Sequence, residues 1–65
     1  MPQLTKQELE SIRVLLMDEE NLICHFTSCA HSAQDPQLRA FLEQIAARHR
    51  VHWELLAAHL NTGEG

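Results

Sequence analysis

The sequence predicts an all-α fold: an antiparallel hairpin of two long helices that pairs with a second copy to form a four-helix bundle. Apolar residues recur at helical spacing on both sides of a single short break. Glycine and proline, which interrupt regular structure, occur only at positions 2, 36, 63 and 65. With 65 residues the chain is one small domain, residues 1–65, and its core is marginal when it stands alone.

The first helix is expected from about residue 6 to about residue 33. Thr5 and Glu8 have the spacing of a capping box, in which each side chain accepts a hydrogen bond from the other residue's backbone amide. Leu4 and Leu9 stand where a hydrophobic staple would fix the start further. The apolar series that follows is Leu9, Ile12, Leu16, Leu22, Ile23, Phe26, Ala30 and Ala33.

A turn is expected at about residues 34–35. Pro36 disfavours helical geometry at Asp35, while Asp35 can cap a new helix whose first position suits proline. So short a connection forces the two helices to run antiparallel.

The second helix is expected from about residue 36 to about residue 60. Asn61-Thr62-Gly63 is an ordinary helix stop, which leaves residues 61–65 as a short tail. The apolar residues of this helix are Leu38, Leu42, Ile45, Trp53, Leu56 and Leu60, flanked by Phe41, Ala46 and Ala57. Both apolar stripes cover about three positions in seven, which is too broad for a lone helix pair. We therefore expect a homodimer.

Composition excludes several classes of protein. Five Lys and Arg against nine Asp and Glu give a net charge of -4, the wrong sign for a nucleic-acid surface. No apolar run approaches the roughly 18 residues of a membrane span. The N-terminus lacks the basic and apolar stretches of a signal peptide, so cytoplasmic synthesis without secretion is expected. Cys24 and Cys29 are about 7.5 Å apart along a helix, too far for an unstrained disulfide, and are expected as reduced thiols.

Three polar residues interrupt the apolar stripes. At 100° per residue, Glu19 lies at the middle of the first stripe and His49 at the middle of the second, with His52 one turn further along. Glu19 is about 21 Å from the turn, and the two histidines are about 20 and 24 Å from it. Because faults in two separate patterns need not coincide in height, their coincidence in one layer indicates a common site.

A metal ion would explain this layer, because Glu oxygen and His nitrogen are ordinary ligands of divalent transition metals and an unpaired buried carboxylate is costly. The sequence therefore predicts Glu19, His49 and His52 as ligands of zinc or iron. One alternative is a metal-free ion pair between Glu19 and a protonated histidine. In another, Glu19 turns towards Arg48 or Arg50.

The other candidates fit a site less well. Glu20 is about 100° from the stripe centre, so it is expected to hydrogen-bond to a ligand or to replace one. His25 and His31 project about 120° from the centre and are expected to face solvent. His59 lies near the open end of the hairpin and is expected at the surface.

A known family shares part of this sequence. The run CAHSAQDPQLRAFLEQIAARHRVHWELLAAHL, preceded by LLMDEENL, resembles the small ferritin-like spore coat proteins of the coat F type from spore-forming bacteria. The resemblance covers about Leu4 to Leu60 and is clearest at Asp35-Pro36-Gln37-Leu38 and at His49-Arg50-Val51-His52. It implies a ferritin-like bundle formed by paired hairpins, and assembly into the spore coat with other coat proteins.

The chain departs from the ferritin-like metal pattern in its second helix. Ferritins and rubrerythrins carry Glu-x-x-His there, whereas this chain carries His49-x-x-His52. A dimer would present two carboxylates and four imidazoles, a set that suits one or two divalent ions better than an oxo-bridged diferric pair. The leading hypothesis is therefore a metal-binding protein without catalytic residues. The rivals are a structural module of the spore coat and a di-metal redox enzyme.

Overall fold

The computed structural model describes residues 4–64, with side chains over residues 4–61. It contains two α-helices, α1 (Lys6–Ser32) and α2 (Pro36–Glu64), joined by residues 33–35. The helices pack against each other along their length. Arg39 contacts Ala30 near the turn, and His49 contacts Glu19 further from it, so the helices run antiparallel. The predicted all-α antiparallel hairpin is confirmed.

The capping box at the start of α1 is confirmed. The Thr5 amide donates to Glu8 Oε1 at 2.8 Å, and the Glu8 amide donates to Thr5 Oγ1 at 3.1 Å. These bonds satisfy backbone groups that have no partner inside the first turn. Because the Glu8 carboxylate accepts from the Thr5 amide, its pKa is held below the ordinary value.

Local backbone hydrogen bonds shape the turn between the helices. Ala33 is extended (φ -71°, ψ 128°), and its amide donates to Cys29 O at 3.0 Å and to Ala30 O at 3.3 Å. Asp35 Oδ1 then accepts from the Gln37 amide at 3.2 Å, as expected of a residue that caps α2. The chain direction is therefore reversed within three residues.

Arg39 ties the two helices together at the turn, a contact that the sequence did not reveal. Its Nε donates to Ala30 O at 3.1 Å and its Nη2 donates to Ala33 O at 2.9 Å. Carbonyls at a helix C-terminus have no partner inside the helix, and a cation there also opposes the negative end of the helix dipole. Arg39 of α2 therefore caps α1.

The second helix continues past its expected stop. Asn61, Thr62 and Gly63 are all helical, and α2 ends at Glu64. These residue types disfavour a helix by about 1 kcal/mol at most, whereas proline would forbid it. The expected tail at residues 61–65 is thus helical through Glu64.

One chain alone has almost no core. The hairpin measures 47 × 17 × 11 Å, the long and narrow shape of two helices packed side by side. Among the described residues, only the methyl groups of Ala30 and Ala46 are buried. The large apolar side chains left exposed are Val14, Leu15, Met17, Leu22, Leu38, Phe41, Val51 and Leu55. Neither helix, over the described residues, is long and apolar enough to cross a membrane.

Candidate metal centre

Glu19 lies at the centre of α1, where Ile12, Ile23 and Phe26 share its side of the helix. Its side chain is 17% exposed, so most of the carboxylate is removed from solvent. A carboxylate in such a position needs hydrogen-bond partners or a cation, because desolvation otherwise disfavours the ionised form.

Both expected histidines meet Glu19 from α2. Glu19 Oε2 is 2.6 Å from His49 Nδ1, and Glu19 Oε1 is 3.5 Å from His52 Nδ1. The first contact is a short hydrogen bond, whereas the second is longer than a good one. The carboxylate therefore spans two imidazoles that lie one helical turn apart. Both oxygens of Glu19 contact histidines, so the carboxylate faces His49 and His52 and does not turn towards Arg48 or Arg50.

The His49 ring is held on several sides. It stacks on Phe26 with ring centroids 5.7 Å apart and an interplanar angle of 14°. The His52 ring meets it edge-on, with centroids 5.5 Å apart and an angle of 86°. A carboxylate in its ionised form can only accept a hydrogen bond, so His49 Nδ1 donates in the short contact whenever Glu19 is ionised.

The three side chains are close enough to share one cation. One potential ligand atom from each of Glu19, His49 and His52 lies within 4.8 Å of the others. Ligands at about 2.0–2.2 Å from a common zinc ion lie roughly 3–3.5 Å from each other. The 3.5 Å contact to His52 matches this spacing. The 2.6 Å contact to His49 would lengthen as a metal replaced the proton between the two atoms.

One chain supplies an incomplete ligand set. A tetrahedral ion needs four ligands, and this group offers three. His52 is 56% exposed while Glu19 and His49 are mostly covered, so the site opens on the side where His52 lies. A further ligand would come from solvent or from another chain.

Glu20 links the two helices beside the Glu19 layer. Its Oε1 accepts from Trp53 Nε1 at 3.1 Å. Trp53, expected as a core residue, is half-buried and keeps its indole N–H paired in this way. The need of a partly buried tryptophan for an acceptor is the signal that could have revealed this contact. It gives the helices a second polar link beside the site. That Glu20 hydrogen-bonds to a metal ligand or replaces one stays a prediction.

The remaining histidines and cysteines lie away from the site. His25, His31 and His59 are exposed, as the helical positions predicted. Cys24 and Cys29 are free and exposed, including Cys29 at the edge of the α1 stripe. Within residues 4–61, only the predicted trio forms a cluster able to hold a metal.

Comparison with protein-family models, curated proteins and solved structures finds no match for this chain. The resemblance to coat F type spore coat proteins therefore stays a prediction.

Proposed function

We propose that this chain is a metal-binding protein, in which Glu19, His49 and His52 hold a divalent transition metal, zinc or iron, within a homodimeric, ferritin-like four-helix bundle. The observation that carries the proposal is the meeting of one carboxylate and two imidazoles from different helices in a single layer. An ionised carboxylate with two neutral imidazoles carries a charge of about -1, which a divalent cation more than balances.

The surface area of one chain supports the dimer. The accessible area is 5110 Å², whereas a compact monomer of 7.4 kDa is expected to expose about 4,200 Å². The excess of roughly 900 Å² is close to the area of about 800 Å² that each partner buries in a stable interface. A second copy would bring this chain to the exposure of an ordinary folded protein.

The exposed apolar residues include a set on the side of the hairpin where the site opens. On α1, Leu15 and Leu22 occupy the part of the apolar stripe that α2 does not cover. On α2, Leu38 and Phe41 lie on the same flank as the half-exposed His52. The antiparallel helices turn both flanks to one side, which we call the open face: Leu15, Leu22, Leu38, Phe41 and His52. A dimer through the open face would enclose the site.

A second candidate function is a metal-free layer that sets the register of the bundle. The 2.6 Å hydrogen bond favours it, because Glu19 and His49 already satisfy each other. Buried polar residues fix register in some coiled coils at a cost in stability. In either case, assembly into the spore coat with other coat proteins is proposed from the sequence resemblance alone.

Metal content distinguishes the two candidates. Untagged protein would be purified without chelator, reloaded with Zn²⁺, Fe²⁺ or Mn²⁺, and analysed for metal per chain. We expect about half to one equivalent of tightly held metal. The test variant is His49→Ala with His52→Ala, which should bind none. The matched control is His25→Ala with His31→Ala, which removes two exposed histidines and should bind as the parent does.

Each result has a definite meaning. Full stoichiometry in the His49 and His52 variant would overturn the assignment of the ligands. A parent protein that is dimeric but metal-free would favour the register layer. Oxygen- or peroxide-dependent turnover of bound iron would instead indicate a redox enzyme.

A further inference from the structure

The site divides the hairpin into two nearly equal halves. Glu19 is the fourteenth of the 27 residues of α1, and His49 is the fourteenth of the 29 residues of α2. We call the group Glu19, His49 and His52 of each chain its polar layer. A dimer formed through the open face can bring the polar layers of the two chains together in two ways. In one, the turns lie at the same end and α1 faces the partner's α2. In the other, the turns lie at opposite ends and α1 faces the partner's α1.

The helix dipoles do not distinguish these arrangements, because every pair of adjacent helices is antiparallel in both. The charges of the side chains do distinguish the two arrangements. With the turns at opposite ends, Glu19 faces the partner's Glu19 across the interface. With the turns at the same end, Glu19 faces the partner's His49 and the partner's His52. Two carboxylates that meet in a partly desolvated layer repel, whereas a carboxylate and an imidazole complement each other.

Residues at the rim of the open face favour the same arrangement. Asp18 lies about 100° from Glu19 on α1, and Arg48 lies about 100° from His49 on α2, both on the open side. Each is exposed and sits within about 2 Å of the height of the polar layer. Turns at the same end place Asp18 beside the partner's Arg48. Turns at opposite ends pair Asp18 with the partner's Asp18, and likewise arginine with arginine.

We infer that the chain binds a second copy with both turns at the same end, so that the imidazoles of α2 from one chain complete the metal site around Glu19 of the other. This inference rests on the proposed function, since it assumes the dimer and names how its site is shared. Two independent charge pairs, one central and one at the rim, select the same geometry.

A distance between the two turns tests the orientation. Gln34 is exposed and lies about 22 Å from the polar layer. The variant Cys24→Ser, Cys29→Ser, Gln34→Cys would carry one spin label per chain, and double electron–electron resonance would be recorded with Zn²⁺ present. We expect a distance of about 20 Å between labels at the same end. Labels at opposite ends would lie about 45 Å apart, close to the full length of the hairpin.

The outcomes separate the inference from the proposed function. A distance near 45 Å would overturn the shared geometry while leaving the dimer and its metal intact. Sedimentation of the same labelled sample as a monomer would overturn both. Metal content, measured on the same sample, reports the site independently of orientation.

A charge exchange at the rim gives a second measurement. Asp18→Arg alone should weaken the dimer roughly tenfold, because two arginine–arginine contacts replace two ion pairs. Arg48→Asp alone should have a similar effect, and the two together should restore the parent dissociation constant. If the turns lay at opposite ends, like charges would face each other in every variant. The absence of rescue in the double variant would therefore contradict the inference.

Discussion

The turn and the middle of the hairpin satisfy their polar groups in opposite ways. At the turn, the carbonyls of Ala30 and Ala33 both accept from Arg39, and Asp35 accepts from a backbone amide, so one chain completes its own hydrogen bonds. At the middle, Glu19 contacts two imidazoles of which one is more than half exposed. The connection is therefore complete within one chain, whereas the polar layer leaves the His52 imidazole more than half open to solvent.

The largest effect is expected from a substitution in the layer of Glu19, His49 and His52. Glu19→Leu removes a partly desolvated carboxylate and restores an apolar layer, so the metal-free protein should gain about 1–3 kcal/mol in free energy of unfolding. The same variant should bind no metal. Chemical denaturation at one fixed protein concentration, with chelator present, measures the first effect. A less stable metal-free variant would contradict the placement of Glu19, and Glu19→Gln provides the isosteric control.

A smaller effect is expected when the turn is broken. Arg39→Ala leaves the carbonyls of Ala30 and Ala33 without their cationic donor, which should cost about 1–2 kcal/mol of unfolding free energy. Metal stoichiometry should not change, because the turn is about 20 Å from the site. Arg39→Lys keeps the charge without the forked geometry and should lose about half as much. Equal stability of Arg39→Ala and the parent would show that this cap contributes nothing.

The link beside the site should be weaker still. Trp53→Phe removes the donor of the 3.1 Å bond to Glu20 while keeping an aromatic ring, at a cost of about 0.5–1 kcal/mol. Glu20→Gln retains an acceptor and should behave more like the parent protein. Both variants should keep their full metal content. Loss of metal in Glu20→Gln would instead mark this carboxylate as a ligand.

The smallest effect concerns the capping box. Because the pKa of Glu8 is lowered in the folded state, its contribution is present above the unfolded-state pKa and is lost as the pH falls through the folded-state pKa. The parent protein should therefore lose more stability on acidification than Glu8→Gln. Thermal unfolding monitored by circular dichroism between neutral and acidic pH measures this difference. Parallel curves for the two proteins would contradict it.

The sequence predicted the helices, the turn and the height of Glu19 relative to the histidines because these depend on fixed helical rise and on local capping. The hydrogen bonds of Arg39 and Trp53 could not be predicted from the sequence, for a physical reason. Their partners belong to the other helix, and such contacts depend on how the helices rotate against each other. The extension of α2 through Gly63 also escaped prediction, since glycine weakens a helix without ending it.

The number of residues between the hydrogen-bonded partners of α1 and α2 increases with distance from the turn. Arg39 bonds to groups six and nine residues away, whereas His49 and Trp53 reach partners 30 and 33 residues away. The contacts nearest the turn therefore close the shortest loops, and each later contact extends a structure already closed. We expect the contacts between the helices to form first around Arg39 and then progressively further from the turn. Amide exchange should be slowest beside the turn and fastest at the far ends of the helices, with the Glu19 layer midway in the order of assembly.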